Sequence, residues 1–387
     1  MKITDVQASV IGREEMHSGG SVWTFVRIYT DEGIVGTGEC NSGGPGFSGF
    51  ATKSAILALR PYLIGEDPFN INLIYEKVRR VGRYGGSTNP PLIFALTGID
   101  NALYDIVGKA LDVPVYKLLG GKFRDTIRLY ADCHAGETED PKAYAEKALE
   151  VVEQGFSAVK FDVDNTGVGK LDHFNWTTSA KEMTHIIRLI EGIREALGYE
   201  TDLAIDCHGQ FDLPSAITLA RAVEPLRLMW LEEPVPAENV NALAQVRASS
   251  STVICTGENQ YTRFEFLELF AAKAVDVIMP DLAKAGGIAE AKRIADIADA
   301  HYIPIAPHNV SSPLGMMAAC HVLVSVPNFL VLELHALNIP WWNDLCDGNK
   351  PFIENGSMTV SERPGIGVEL NDDVAKSLVW NDDTYFD

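Results

Sequence analysis

The chain has 387 residues, 46% hydrophobic and 22% charged, with 32 Lys+Arg against 53 Asp+Glu, a net charge of −21 and a pI near 4.8. That length exceeds one ordinary core and predicts two domains; the acidic surface argues against nucleic acid and anionic membrane as partners. The six cysteines lack C-x-x-C spacing and read as reduced core residues. No run approaches the ~18 apolar residues of a membrane helix, and the opening MKITDVQASVIG lacks a signal-peptide stretch. The chain therefore reads as cytoplasmic.

In chain order, residues 2–12 and 22–30 alternate like strands, and IVGTGEC after the DEGIVG turn reads as a third. A glycine-rich loop follows at 41–49. Helical periodicity is expected over 51–63, 69–80 and 92–112, ending before Pro114. From about residue 127 the pattern becomes β-α-β-α, with strands expected at 127–131, 158–162, 202–206, 228–232, 253–256, 277–280, 303–306 and 329–333. The reading is α/β: an α+β capping domain over 1–125, rejoined by the tail at about 355–387, and a (β/α)8-type barrel over 126–354.

Asp206, Glu232 and Glu258 stand at equal intervals of 26 residues (206, 232, 258), each closing a short apolar run: LAIDCH, LMWLEEP and VICTGEN. Asp281, His308 and Glu333 continue the rhythm. One strand-plus-helix unit takes about that many residues, since eight units need roughly 250. Polar residues at successive strand ends converge on one mouth of the barrel. Three carboxylates there repel one another unless a hard divalent cation holds them, and oxygen donors suit Mg2+. Carboxylates at strand ends can also merely cap helices, which three at equal spacing make improbable. Glu233 rivals Glu232, and spacing favours Glu232 only slightly. Cys207 and Cys255 are expected to alternate away from the mouth.

His208 shares the face of Asp206 by two-residue alternation. His308 neighbours Asp281, which would fix its tautomer and raise the basicity of its other nitrogen. Lys160 and Asp162 share a face of the second strand; the lysine could meet a substrate carboxylate or pair with a neighbouring acid. His134 ends the first strand, equally a pocket residue or a packed histidine. His185, His301 and His321 fall within helical patterns and read as packed.

With the opening strands, LLGGKFRD, the acid ladder, PDLAKAGGI and PGIGVEL in place, the chain resembles the enolase superfamily in its mandelate racemase-like branch, over nearly its whole length. Enolase-superfamily sites are a known pairing of a Lys or His base with Mg2+. AVKFD followed by DCHGQFD is similar to acid-sugar dehydratases of the galactonate and gluconate kind. The resemblance implies Mg2+ on Asp206, Glu232 and Glu258, the first Glu of Glu-Glu-Pro being the ligand. It implies His308 with Asp281 as base, His208 as general acid, and Glu333 as a protonated acid bonded to the substrate carboxylate. Racemases of the branch carry K-x-K on the second strand; here the second position is Asp162, which speaks against racemisation. Cap loops 14–22 and 82–90 would choose the substrate, with His17, Arg83 and Tyr84 as contacts. Trp341 and Trp342 could wall the pocket or pack. A homo-oligomer and a small-molecule sugar acid substrate are also implied.

The expected reaction is dehydration of an aldonate or aldarate to a 2-keto-3-deoxy acid, through a metal-stabilised enediolate. The enzymatic alternative is an epimerase, racemase or lactone cycloisomerase using the same enediolate. The remaining alternative is a non-catalytic member of the fold.

Overall fold

The computed structural model describes residues 1–13, 22–40, 46–81, 89–136, 138, 140–164, 168–169 and 174–387. Three antiparallel strands open it: β1 (Ile3–Gly12), β2 (Val22–Thr30) and β3 (Val35–Cys40), in the order β1-β2-β3. Val6, Ala8 and Val10 alternate into the core. The helices α1 (Gly46–Leu63), α2 (Ile71–Arg79) and α3 (Pro90–Ala110) follow. The central one, α3, is apolar nearly all round and buried along most of its length, as a helix hydrophobic on every side must be. It touches β3 so closely that a Cβ on Gly36 or Gly38 would meet α3 backbone oxygens at 2.2 and 2.1 Å. A short helix, α4 (Val115–Leu118), stands where sequence analysis expected only a boundary.

The second unit is a ring of parallel strands: β4 (Thr126–Cys133), β5 (Ala158–Asp162), β6 (Asp202–Asp206), β7 (Trp230–Glu232), β8 (Ile254–Thr256), β9 (Val277–Ile278) and β10 (Leu332–Leu334). They pair in the order β10-β4-β5-β6-β7-β8-β9. Ile305 pairs singly with Ile278 and with Phe329, bridging β9 to the β10 segment and completing an eight-membered barrel. Sequence analysis expected longer strands at 277–280 and 303–306. Pro280, Pro304 and Pro307 have no N–H to give to a ladder, so pairing there shrinks to the donors of Ile278, Met279, Ile305 and Ala306. Between the strands run α5 (Pro141–Glu153), α6 (Ala180–Leu197), α7 (Leu213–Ala222), α8 (Val240–Ala248), α9 (Thr262–Ala272), α10 (Ile288–Ala300) and α11 (Pro313–Val324).

Two barrel helices are capped by the first unit. The Gly286, Ile288 and Ala289 N–H groups at the start of α10 donate to Thr97 Oγ1 (2.9 Å), Asn101 Oδ1 (3.2 Å) and Asp100 Oδ2 (3.0 Å), which share one face of α3. Ser312 N and Gly315 N at the start of α11 donate to Glu39 Oε1 and Oε2, both at 2.9 Å. Helix starts leave orphan donors; here acceptors from a distant part of the chain satisfy them. The two anchored helices follow the loops that carry Asp281 and His308.

The tail divides its contacts. β11 (Ser357–Thr359) pairs with β4 of the barrel, while Leu378, Asp383 and Asp387 reach β1 and Lys53. Among the described residues no helix is long and apolar enough to cross a membrane. All six cysteines are free and buried.

Candidate active site

The barrel interior is packed with Tyr130, Ala158, Ala204, Trp230, Cys255, Val277, Met279, Ala306 and Val331. Side chains in strands alternate with period two, so the next inward layer follows two residues later. That layer reads Asp132, Lys160, Asp206, Glu232, Asp281, His308 and Glu333, all nearly buried. An apolar core thus ends abruptly in a charged floor.

β8 breaks the pattern. Cys255 points into the barrel beneath the floor, the opposite of the sequence expectation, because Glu258 lies three residues on rather than two. Gly257, at φ +146, makes the correction; a Cβ there would lie 2.9 Å from the Met279 nitrogen. Burial and the nearby Glu232 push the Cys255 thiol far up, and it packs in the apolar layer beneath the floor.

Lys160 sits at the centre, with its Nζ 2.8 Å from Asp206 Oδ2, 3.4 Å from Glu232 Oε1 and 2.7 Å from Glu333 Oε1. Burial alone would discharge it, but these acids outweigh burial and hold it protonated. Burial would likewise raise the Asp206 carboxyl, yet Lys160 and His208 hold it down to about 2. Glu232 is forced far above the carboxylate range, by burial first and by the Asp206 charge second. One ammonium therefore cannot neutralise this pair. Trp230 Nε1 donates to Glu232 Oε2 at 3.0 Å. Glu233 points elsewhere, accepting from Thr256 Oγ1 at 3.1 Å and Asn259 Nδ2 at 2.8 Å.

On the far side, His308 Nδ1 is 2.8 Å from Asp281 Oδ2, and its Nε2 is 3.1 Å from Glu258 Oε2 and 3.9 Å from Glu333 Oε2. Burial would lower its pKa; Glu258 and Glu333, with the Asp281 bond, raise it. Lys284 Nζ, 3.1 Å from Asp281 Oδ2, overcomes burial with His308 to keep Asp281 near 2. Burial would raise Glu258, but His308 and Lys284 lower it. Glu333 Oε2 also accepts the Asn309 N–H at 2.9 Å.

Above the floor stands a rim two residues further along four strands: His134, Asp162, His208 and His335. His208 Nδ1 is 3.1 Å from Asp164 Oδ1 and its Nε2 3.6 Å from Asp206 Oδ2. Burial lowers its pKa, but Asp164, Asp206 and Asp162 push it up to about 11, so the ring is cationic. Asp162 is driven well up, by burial and then by Asp132 and Asp206. His335 Nε2 lies 2.5 Å from Asp132 Oδ2.

Two sets of three ligating atoms fall within 4.8 Å of one another among the described residues: Asp132, His134 and His335, and Asp162, Asp206 and His208. Asp206 is the one sequence-expected metal ligand in either. Glu232 lies directly against Asp206, both contacting Lys160, and Glu258 meets His308. The floor nonetheless fits a hard divalent cation: its donors are all carboxylate oxygens, and Asp206 and Glu232 repel each other beyond what Lys160 offsets.

His17, Arg83 and Tyr84 lie outside the described residues. Sequence reasoning missed Asp132, Asp164, Lys284 and His335. The alternation that found Asp206 from Ala204 would have found Asp132 from Tyr130; nothing local marks Lys284. His321 is buried and doubly bonded, accepting from Tyr116 N at 3.2 Å through Nδ1, with Nε2 2.9 Å from Ile366 O. Trp342 packs, donating to Ser311 O at 2.9 Å.

Comparison with known proteins finds a family over most of the chain. The family described as mandelate racemase / muconate lactonizing enzyme, N-terminal domain, matches residues 9–120, and enolase C-terminal domain-like matches 143–374. A D-xylonate dehydratase of Haloferax volcanii is 41% identical over 387 residues, covering 100% of this chain and 91% of that protein. A D-galactonate dehydratase of Pectobacterium atrosepticum is 35% identical over 360 residues, 91% of this chain and 90% of its own. Among solved structures, a mandelate racemase/muconate lactonizing enzyme-like protein from Rubrobacter xylanophilus superposes with TM-score 0.93 at 43% identity, covering 100% and 99% of the two chains. A mandelate racemase/muconate lactonizing enzyme from Sulfitobacter sp. gives 0.89 at 30%, covering 99% and 97%.

Proposed function

Because the chain belongs to the mandelate racemase/muconate lactonizing enzyme family, we propose that it is a Mg2+-dependent dehydratase that converts a sugar acid, an aldonate or aldarate, to a 2-keto-3-deoxy acid. The observation that carries this reading is a pair of differently poised histidines across one carboxylate floor. His308, on the seventh barrel segment, is buried with Nδ1 committed to Asp281. His208, just past the third strand, is a cation held by Asp164 and Asp206. Elimination of water needs a base and an acid at separate points on the substrate, and three of eight strands separate these two on either side. Relatives named D-xylonate and D-galactonate dehydratase support the same chemistry.

Asp206, Glu232 and Glu258 would hold Mg2+, which when bound supplies Lewis-acid stabilisation of charge developing on the substrate carboxylate. His308 removes the proton on the carbon beside that carboxylate, at Nε2. The Lys160 ammonium stabilises the negative charge on the carboxylate oxygens where it develops, and Glu333 orients the same group. His208 gives its proton to the departing 3-hydroxyl, the C3–O bond breaks, and water leaves. The enol left behind tautomerises to the 2-keto-3-deoxy acid. Asp162 stands where racemases of the branch carry their second lysine, so the usual second base is replaced, which favours elimination over racemisation. His134 and Asp162 at the rim face the distal carbons, and His17, Arg83 and Tyr84 of the cap are the proposed further contacts to the substrate.

The test is a screen of stereochemically complete four- to six-carbon aldonic and aldaric acids, D-xylonate and D-galactonate included, with Mg2+ and detection of 2-keto acids. A 2-keto-3-deoxy product from at least one is expected. Recovered substrate carrying solvent deuterium in D2O, with no water lost, would replace this reading by epimerisation.

A further inference from the structure

We propose that Asp132, His134 and His335 form a second cation site, one that takes a borderline divalent ion such as Zn2+ rather than Mg2+. It goes beyond the dehydration reading and does not depend on it. The three residues come from neighbouring strands: Asp132 and His134 at the end of β4, His335 one residue past β10, which pairs in parallel with β4. The Nε2 atoms of His335 and His134 approach the same Asp132 oxygen, Oδ2, at 2.5 and 3.4 Å. The two rings stand edge to face with centroids 5.4 Å apart. One ligating atom from each residue falls within a 4.8 Å span.

A second observation is independent of that convergence. Asp132 is 5% exposed, and its other oxygen, Oδ1, is buried with no hydrogen-bond partner among the described residues. A buried carboxylate oxygen left unmatched costs free energy. The Lys160 ammonium is directed to Asp206, Glu232 and Glu333. An ion at Asp132 satisfies the orphaned oxygen and gives both imidazoles a shared electrophile. Two imidazoles and one carboxylate select Zn2+, Co2+ or Ni2+ over Mg2+, which prefers oxygen alone. Three protein ligands leave a position for water or a hydroxyl. Asp132 belongs to the charged floor, and its strand lies two places from that of Asp206 in the order β4-β5-β6.

The experiment uses the full chain, stripped with chelator and then kept in excess Mg2+. Co2+ is titrated and read by visible absorption, and Zn2+ by calorimetry. One ion per chain is expected. His134→Ala and His335→Gln should each weaken it more than about tenfold, since even outer partners cost that much, while Glu232→Gln leaves it unchanged; thermal melts establish that each variant is folded. No ion bound in the presence of Mg2+, wild-type affinity in either histidine variant, or loss in Glu232→Gln instead would overturn the site. Binding is read without turnover, so an inactive chain that shows this pattern keeps the site and loses only the dehydratase reading.

Discussion

Asp100 Oδ2 on α3 accepts the Ala289 N–H of α10 at 3.0 Å, and Gly287 between them has room for nothing larger: its Cβ would lie 2.5 Å from the same oxygen. The second glycine of PDLAKAGGI is thus explained by a close approach between a cap helix and a barrel helix. Asp281 of that motif is the residue bonded to His308.

Gly287→Ala should therefore be costly. Gly287 has φ +92, and both backbone strain and the clash apply, for a loss of roughly 1–3 kcal/mol or more. Gly192→Ala is the matched control: it sits inside α6, its Cβ would meet Pro141 at an ordinary 3.4 Å, and alanine in a helix gains up to about 1 kcal/mol. Urea unfolding of both variants checks this. Similar midpoints for the two would remove the close-approach argument.

His308→Asn removes the base in the proposed mechanism. Turnover should fall about 10²–10⁴-fold, while Mg2+ affinity, measured by calorimetry, stays near wild type. The asparagine keeps a polar group against Asp281, so a melt should show a folded protein. Retained activity would transfer the base role to another residue.

Lys160→Met leaves Asp206, Glu232 and Glu333 without their shared cation. Removing one partner of a buried ion cluster costs roughly 3–5 kcal/mol. That cost should appear in chelator and shrink at saturating Mg2+, because bound cation stabilises the folded state and offsets the same charges. Chemical denaturation in the two conditions measures the difference. An identical cost in both would mean that the lysine and the ion do not share those carboxylates.

His321 makes a pH prediction away from the site. Burial drives its pKa down to about 4, against about 6.5 in an unfolded chain. The unfolded state then binds the extra proton between those values, so the stability this group contributes is present above pH 6.5 and lost as pH falls through 4. The span corresponds to about 3 kcal/mol. His321→Gln, which can still accept the Tyr116 N–H, should unfold with a flatter pH dependence between pH 4 and 6.5. A wild-type slope in that variant would assign the acid sensitivity elsewhere.

Much of the site was legible because strand geometry is local. Period-two alternation and a 26-residue repeat mark Asp206 and Glu232, and alternation alone leads from Ala306 to His308 and from Val331 to Glu333. The same rule misread Cys255, since one glycine at φ +146 shifts the phase of β8 and turns Glu258 inward in its place. The strands at 277–280 and 303–306 came out short, because prolines there withhold donors.

The amino-acid sequence by itself determined which face each strand turns inward, and so a charged layer over an apolar one, because facing depends only on neighbours one and two residues away. Only the closed ring decided what those side chains meet. Lys160 among three acids from three other strands, His335 brought to Asp132, and α3 capping α10 are contacts between residues 46 to 203 positions apart. Their partners are chosen by strand order and by which helix ends lie within reach, neither of which any local window of the chain encodes.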